Sequence, residues 1–234
     1  MQHLVIVLVR TRNPLNIGAV ARAMQNFGVR ELRLVAPYEA SFREARSAVG
    51  AGAVLAEAGE FARVADAVAD CRLVIGTTAA RRRELEQPLV GLDEAAPSVH
   101  PVLAQGRVAL LFGSEKHGLT RKDFDHCQWL VRIATEDEQP SMNLGQAVAV
   151  CLWELARAST VPAVEGEPRA VSGDVERLGG LWMELLDASG YTHPEAAEST
   201  AAEVRRVLRR LHVTESDTHL LMGMVRKLLW KMRH

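Results

Sequence analysis

The chain contains 234 residues, of which 48% are hydrophobic, and its formal net charge is −1 at pH 7. This composition excludes a disordered chain and a uniformly basic nucleic-acid-binding protein, so any basic surface has to be local. The cysteines at positions 71, 127 and 151 form no C-x-x-C pair, which argues against a disulfide framework and a zinc site. The cysteine pattern therefore predicts a reduced, cytoplasmic protein without a bound metal. Because we find neither a signal-peptide pattern nor an apolar run of membrane-spanning length, we expect no membrane binding.

Short apolar runs alternate with helical patterns over the first 158 residues. The runs predict strands at 4–9, 31–35, 53–56, 72–77, 107–112 and 129–133, and the helical patterns predict helices near 16–27, 42–51, 63–70, 120–127 and 143–158. Thr120 and Asp123 are spaced as in a capping box. This alternation is typical of an α/β protein with a mainly parallel sheet covered by helices on both faces.

The remainder of the chain has a different pattern. Residues 159–173 contain proline, glycine and serine without periodicity and are predicted to form a linker. Helices are then predicted near 174–189, 194–211 and 215–232, the last with an apolar stripe of Leu220, Met224, Leu228 and Met232. Three helices of this size have a marginal core alone, so we expect them to pack on the main domain or on a second subunit.

Ligands of open α/β sheets bind beyond the carboxyl ends of the strands, here the loops after residues 9, 77, 112 and 133. The first loop leads to Asn16, Gly18 and Arg22, which fit either a helix cap with a solvated arginine or a ligand site at the helix N-terminus. In the second, "GTTAARRRELEQP", the three arginines face either phosphates or solvent.

The third and fourth loops also carry polar residues. "FGSEKHGLT" places Glu115 in a tight turn between Gly113 and Gly118, and "SMN" puts Ser141 and Asn143 at a helix start, as caps or as part of a binding loop. The chain lacks the G-x-S-x-G, G-x-x-x-x-G-K-[ST] and H-E-x-x-H patterns. The residues alone therefore predict an α/β protein with an unassigned ligand edge.

Three stretches together resemble the ordered motifs of the TrmH-type RNA ribose 2'-O-methyltransferases of the SPOUT superfamily: "NIGAVAR" (16–22), "LLFGSEKHGL" (110–119) and "SMNLGQAVAV" (141–150). The likeness covers about residues 1–158, and the linker with the helical tail is similar to the TrmJ branch, which methylates nucleotide 32 of the tRNA anticodon loop. The resemblance implies a deep C-terminal trefoil knot, a methyltransferase domain at 1–158, a linker at 159–173 and a small all-α extension at 174–234. It further implies S-adenosylmethionine as cofactor and a homodimer whose active site takes residues from both subunits.

The resemblance also assigns roles to residues. Arg22 matches the catalytic arginine, Asn16 would orient Arg22 or the RNA, Ser141 and Asn143 would shape the reaction pocket, and Glu115 would organise its loop. Because a guanidinium stays protonated, we expect Arg22 to contact a phosphate and stabilise the developing alkoxide rather than act as a base. The cofactor would be held at Thr77, Thr78, Ala79, Gly113, Ile133, Ser141, Met142 and Asn143. Met142 replaces the leucine of the usual Ser-Leu-Asn motif.

The end of the helical tail, residues 205–234, has a local excess of basic residues that the net charge of the whole chain does not show. Residues 205–234 contain eight Lys or Arg residues and two acidic ones. We predict RNA contacts at Arg81, Arg82, Arg83, Arg205, Arg206, Arg209 and Arg210, with a solubilising outer face as the alternative for the tail. The favoured function is a tRNA ribose 2'-O-methyltransferase. The alternatives are an rRNA methyltransferase of the same fold and a catalytically silent RNA-binding relative.

Overall fold

Seven parallel strands form one sheet in this computed structural model, which describes residues 1–38, 48–79, 85–136, 138–158 and 167–233. The strands are β1 (Leu4–Val9), β2 (Glu31–Val35), β3 (Gly59–Phe61), β4 (Cys71–Thr77), β5 (Leu89–Gly91), β6 (Arg107–Phe112) and β7 (Trp129–Arg132). The helices are α1 (Pro14–Asn26), α2 (Gly52–Ala56), α3 (Val64–Ala67), α4 (Leu92–Gln105), α5 (Arg121–Phe124), α6 (Leu144–Arg157), α7 (Ser172–Ala188), α8 (Ala197–Arg210) and α9 (Glu215–Arg233). A short 3₁₀ turn, Pro194–Ala196, precedes α8.

The sheet has the order β3-β2-β1-β6-β4-β7-β5. Strand β1 lies in the interior of the sheet and all six of its residues are buried, as expected for a strand covered on both faces. Ile6 lies opposite Leu32 in β2 and Leu110 in β6, which defines the register of β1 with its two neighbours. The predicted parallel α/β sheet with helices is therefore confirmed.

Side chains of β1 alternate between two hydrophobic layers. Leu4, Ile6 and Leu8 belong to the layer packed against α1, α4 and α6, whereas Val5 and Val7 face the layer that includes α3 and α5. In the first layer α6 packs on both α1 and α4. A Cβ at Gly145 would lie 2.8 Å from the Cβ of Ala19, so this glycine lets α1 and α6 approach closely.

Between residues 50 and 106 one predicted strand was wrong, and strands β3 and β5 and helix α4 were not predicted. Residues 53–56 are helical rather than extended, because a four-residue apolar run fits either period, and here Ala51, Val54 and Leu55 are buried at helical spacing. The neighbouring strand is β3. Helix α4 was missed because Pro97 and Pro101 are typical helix breakers. Four residues apart, they lie on the side of α4 away from its buried residues. The helix predicted near 42–51 lies mostly outside the described residues.

Helices α7, α8 and α9 share a third hydrophobic cluster and pack back on the sheet domain. Helix α7 contacts α8, α9, α3 and β4, and the Gly173 N–H donates to the carbonyl of Ala69 at 2.7 Å. At the amino end of β4, Arg72 forms an ion pair with Glu215 at 2.7 Å. No helix within the described ranges is long and apolar enough to cross a membrane.

Helix α9 buries a different face from the one expected. Its packed residues are Thr218, Met222, Val225 and Leu229. Leu220, Met224 and Leu228 of the predicted stripe are 59%, 52% and 51% exposed. The helix therefore has two apolar faces, and the described chain covers one of them.

Candidate active site

The loops after β4, β6 and β7 surround a cavity of about 370 Å³ at the carboxyl ends of these strands. Its size falls within the range of small-molecule sites. The cavity is lined by seven of the eight residues predicted to bind the cofactor: Thr77, Thr78, Ala79, Gly113, Ile133, Ser141 and Met142. Asn143, the eighth, caps the adjoining helix α6. The structure thus brings three loops that are distant in sequence to one cavity.

The loop after β6 is a closed turn that depends on two glycines. A Cβ at Gly113 would lie 1.9 Å from the carbonyl carbon of Gly118 and 2.1 Å from the nitrogen of Leu119, so only glycine fits there. Gly118 has φ +66°, a left-handed conformation that favours glycine. The Gly118 N–H donates to the carbonyl of Ser114 at 2.8 Å and closes the turn around Glu115.

Hydrogen bonds fix the loops on both sides of this turn. The Thr77 hydroxyl donates to the carbonyl of Leu111 at 2.8 Å, and the Thr78 N–H donates to the carbonyl of Val131 at 3.0 Å. The loop after β4 is thereby tied to both neighbouring strands. In the loop after β7 the Thr135 hydroxyl donates to the carbonyl of Pro140 at 3.3 Å, just before Ser141.

Three motif residues form a continuous hydrogen-bonded series. The Asn16 side-chain amide donates to Oε1 of Glu115 at 2.8 Å, and the Asn143 side-chain amide donates to Oδ1 of Asn16 at 3.2 Å. Oδ1 of Asn143 also accepts the N–H groups of Gly145 and Gln146, at 2.9 and 3.4 Å. The series therefore connects the start of α1, the β6 loop and the start of α6.

Glu115 organises the start of α1, although Asn16 does not cap that helix. The Glu115 carboxylate accepts the backbone N–H groups of Arg12 and Asn13, at 3.3 and 3.4 Å. The cap of α1 is Asn13, whose side chain accepts the Leu15 N–H at 2.9 Å, ahead of Pro14 in the first turn. The cap interpretation of Asn16 is therefore wrong, and its amide is left to join Glu115 and Asn143.

The ionisation of Glu115 follows from these contacts. Burial raises the pKa of the Glu115 carboxyl, but hydrogen bonds from Asn16 and from backbone N–H groups outweigh it and lower the pKa below its ordinary value. Glu115 is therefore ionised at neutral pH and its oxygens are engaged by donors. It suits an organising role better than that of a general base.

Arg22 does not line the cavity of its own protomer. It lies on an exposed position of α1, and among the described residues no hydrogen bond or ion pair involves its side chain. The structure brings Asn16, Glu115, Ser141 and Asn143 to one region but leaves Arg22 outside it. Its guanidinium is free to meet another molecule.

The tail arginines require a correction. Arg209 is only 2% exposed and pairs with Glu176 of α7 at 2.8 Å, so its guanidinium cannot contact RNA in this conformation. Arg205 pairs with the same carboxylate at 3.2 Å, and Arg206 pairs with Glu86 at 2.5 Å and with Asp125 at 3.3 Å. Of the four predicted tail contacts, Arg210 is exposed. Arg81, Arg82 and Arg83 lie outside the described residues.

Several cavity residues were not among the predicted ones. The cavity is also lined by Ser114 and His117, for which the sequence predicted no role, and by Phe112, Lys116, Val131, Thr135, Pro140, Leu144 and Ala147. What these residues share is position, because all lie at or after the carboxyl ends of β6 and β7. Within the described ranges no group of three His, Cys, Asp or Glu residues is placed to hold a metal ion. The thiols of Cys71, Cys127 and Cys151 are buried, and burial raises the pKa of each.

Comparisons with known proteins agree with this arrangement. Residues 3–153 match the model of the SpoU rRNA Methylase family. The chain is 34% identical to the tRNA (cytidine/uridine-2'-O-)-methyltransferase TrmJ of Klebsiella pneumoniae subsp. pneumoniae, over 96% of each chain. The crystal structure of TrmJ from Z. mobilis ZM4 superposes with a TM-score of 0.83 and 34% identity, covering 96% of this chain and 98% of that chain. A probable methylase family protein from Haemophilus influenzae Rd KW20 gives a TM-score of 0.62 at 26% identity, covering 99% and 98%.

The family match spans the sheet domain and all three motifs, and the TrmJ-named relatives extend over the helical tail as well. The chain therefore belongs to the SpoU rRNA methylase family.

Proposed function

We propose that the chain transfers a methyl group from S-adenosylmethionine to the ribose 2'-hydroxyl of nucleotide 32 in the tRNA anticodon loop. The observation that carries this proposal is the series Glu115–Asn16–Asn143, which joins the three motif loops beside one cavity. Alignment with proteins named tRNA (cytidine/uridine-2'-O-)-methyltransferase TrmJ over 96% of the chain supports tRNA as the substrate class.

The cavity fits the proposed cofactor in size and lining. Thr78, Ala79 and Gly113 border it together with the apolar residues Ile133 and Met142, a combination suited to an adenosine and a short charged chain. S-adenosylmethionine, when bound, supplies a methyl group on a positively charged sulfur. Met142 is 36% exposed and takes the place of the usual leucine, and its similar volume preserves this wall.

This chain's own residues then position the ribose. Ser141 is an exposed hydroxyl on the cavity wall, where it suits contact with the incoming ribose. Asn143 and Asn16 hold the start of α6 against the start of α1, so the walls on either side of Ser141 keep a fixed spacing. Holding reacting groups in line is a large part of catalysis in such a displacement.

We propose that Arg22 reaches this site from the partner subunit of a homodimer. The basis is its exposed position on α1, away from the cavity of its own protomer. Its protonated guanidinium would bind the neighbouring phosphate and stabilise negative charge that develops on the 2'-oxygen. A site built from two subunits would exist only in the dimer.

The proposal includes the deep trefoil knot, formed as the segment after β7 and helix α6 pass through the loop region around the cavity. Its support is family membership together with the packing of α6 on α1 and α4. The division into a methyltransferase domain at 1–158, a linker at 159–173 and an extension at 174–234 belongs to the same proposal. In the structure α7 begins at Ser172, inside the proposed linker.

For the RNA interface we retain Arg81, Arg82 and Arg83, which follow the cavity residue Ala79 in sequence, and the exposed Arg210. Three free cysteines and a tRNA substrate both suit the cytoplasm.

The test is incubation of the purified protein with unmodified tRNA transcripts and S-adenosylmethionine, followed by mass spectrometry of nuclease fragments. We expect one added methyl on the ribose of nucleotide 32. A methyl on a different ribose would overturn the position, and methylation of ribosomal RNA but not of tRNA would overturn the substrate class. A catalytically silent RNA-binding protein would methylate neither RNA, and calorimetric titration would detect no binding of S-adenosylmethionine to it.

A further inference from the structure

Helix α9 presents an exposed strip that is complementary to itself. Asp217, Leu220, Met224, Leu228 and Lys231 are all exposed, and at 100° per residue they fall within about 80° of the helix circumference. The packed face, with Met222, Val225 and Leu229, lies about 100–160° around the helix from Met224. The strip is therefore a second apolar face with one acidic and one basic end.

The strip is symmetric about Met224. Leu220 and Leu228 lie four residues before and after it, and Asp217 and Lys231 lie seven residues before and after it. If two copies of α9 pair antiparallel with Met224 on the twofold axis, each leucine meets the other leucine of the partner and each acid meets a lysine. A twofold interface requires this kind of self-complementarity.

The neighbouring charges leave the strip open. Lys227 is turned to the ring of Trp230, 4.0 Å from its centroid, on the far side of the helix from Leu228. The Asp217 carboxylate accepts the Thr214 N–H at 3.2 Å, which holds this charge at the start of the helix. Antiparallel pairing also places Asp217 in the first turn of one helix beside Lys231 in the last turn of the other, whereas Arg233 pairs with Glu184 of its own chain at 3.4 Å.

We propose that α9 pairs antiparallel with α9 of a second copy of this chain through Leu220, Met224 and Leu228. The proposal deepens the homodimer of the proposed function and rests on it. Three side chains per copy bury less than the roughly 1,200 Å² of a stable interface, so the α9 pair adds to another contact between the same two subunits. Its effect is to place the two helical tails side by side.

Thiol cross-linking at the proposed axis tests this directly. The native cysteines are buried, so a cysteine introduced on the surface reacts alone. Packed helix axes about 8–10 Å apart leave about 5 Å between facing Cα atoms, which suits a disulfide. With diamide as oxidant, we expect full-length Met224→Cys to form a covalent dimer in high yield. The matched control is His219→Cys, exposed on a different face of α9, which should not.

Charge pairing at the same position provides a second readout. Met224→Glu alone and Met224→Lys alone should each raise the dimer dissociation constant about tenfold or more, and mixing the two should restore association through a Glu–Lys pair across the axis. Light scattering on the unmodified protein tests the homodimer itself. A dimer with no cross-link at Met224 would overturn the α9 pair and leave the homodimer standing, whereas a monomer would overturn both.

The competing occupant of this surface is tRNA. If Met224→Glu weakens tRNA binding and Met224→Cys forms no cross-link, the strip is an RNA contact and the proposal is wrong. Equal cross-linking at positions 219 and 224 would likewise overturn it, because random collision rather than a defined pair would then explain the covalent dimer.

Discussion

The amide of Asn16 donates to Glu115 at 2.8 Å across 99 residues of sequence, and this one bond joins the first motif to the second. Asn143 extends the connection to the third motif. The candidate site is thus a hydrogen-bonded framework around a cavity, and its members have separable tasks.

Asn143 both caps α6 and donates to Asn16, and substitution by serine separates these two roles. Asn143→Ser keeps a side-chain oxygen at the cap of α6 but removes the amide that donates to Asn16, whereas Asn143→Ala removes both. We expect the alanine variant to lose about 1 kcal/mol of unfolding free energy and the serine variant to lose little, while both lose methylation activity. Urea unfolding and initial rates on tRNA provide the comparison. Full activity in the serine variant would show that the contact with Asn16 is dispensable.

Arg22→Ala should lower the methylation rate by at least about 100-fold and leave S-adenosylmethionine affinity nearly unchanged, because Arg22 lies outside the cavity. Single-turnover rates and calorimetry measure the two quantities. Arg22→Lys is the matched control, which retains the charge but not the bidentate geometry.

The composite site can be tested by mixing. Arg22→Ala and Gly113→Ala subunits, combined by unfolding and refolding, should recover about a quarter of the wild-type activity, since half the dimers then contain one intact site. If the refolded mixture is no more active than the separate variants, Arg22 acts in the site of its own subunit.

Gly113→Ala should abolish cofactor binding, because its Cβ would overlap the backbone of Gly118 and force the turn around Glu115 to open. Calorimetric titration with S-adenosylmethionine is the readout. The control is Gly180→Ala in α7, where a Cβ meets nothing within 4 Å. That variant should bind the cofactor normally and gain about 0.5–1 kcal/mol of stability from its better helix propensity. Normal binding by Gly113→Ala would contradict the turn geometry.

Glu176→Gln should destabilise the protein by about 3 kcal/mol, because it leaves the buried Arg209 without its carboxylate. Arg209→Met added to this variant should recover most of the loss, since an apolar side chain of similar length replaces the buried charge. Urea unfolding of the single and double variants measures both effects. A double variant as unstable as the single one would show that Arg209 packing, not its charge, matters.

Lowering the pH should remove the stabilisation that the Glu176 carboxylate provides. Burial raises the pKa of Glu176, but His126, Arg209 and Arg205 outweigh it and hold the pKa at about 2, below its ordinary value of 4.5. Because the folded-state pKa is the lower one, the stabilisation is complete above about pH 4.5 and is lost as the pH falls towards 2. The stability difference between wild type and Glu176→Gln should therefore shrink over this interval. A constant difference would contradict the assignment.

Salt dependence distinguishes the tail arginines. Replacing the exposed Arg210 with glutamine should lower the salt slope of tRNA binding by about 1, as expected for one phosphate contact. Arg205→Gln should leave the slope unchanged, because its guanidinium pairs with Glu176. Binding titrations between 50 and 200 mM salt supply the slopes. An unchanged slope for Arg210→Gln would assign it to the solvated outer face.

Local patterns in the sequence predicted the sheet and the edge at which the cavity lies, whereas the residues of the candidate site came from the family resemblance. The capping box of Thr120 and Asp123 is confirmed, and the resemblance to the TrmJ branch is confirmed by relatives with that name. Asn13 rather than Asn16 caps α1, and Pro14 directly after it was an available signal.

Long-range contacts escaped prediction for physical reasons. The buried pairing of Arg209 depends on Glu176, 33 residues away, and no local pattern reports whether a helical arginine turns inward. On α9, two apolar faces satisfy helical periodicity equally, so sequence alone did not say that Met222, Val225 and Leu229 pack while Leu220, Met224 and Leu228 stay exposed.

The framework of Asn16, Glu115 and Asn143 also has a consequence for folding. Its two bonds close chain separations of 99 and 127 residues, so the site has a high contact order and cannot form before β1, β6 and α6 have assembled. Cofactor binding during refolding would then follow the completed sheet rather than any early collapsed state. A fluorescent S-adenosylmethionine analogue would report the last cooperative step of folding, and the enzyme would be inactive in every partly folded form.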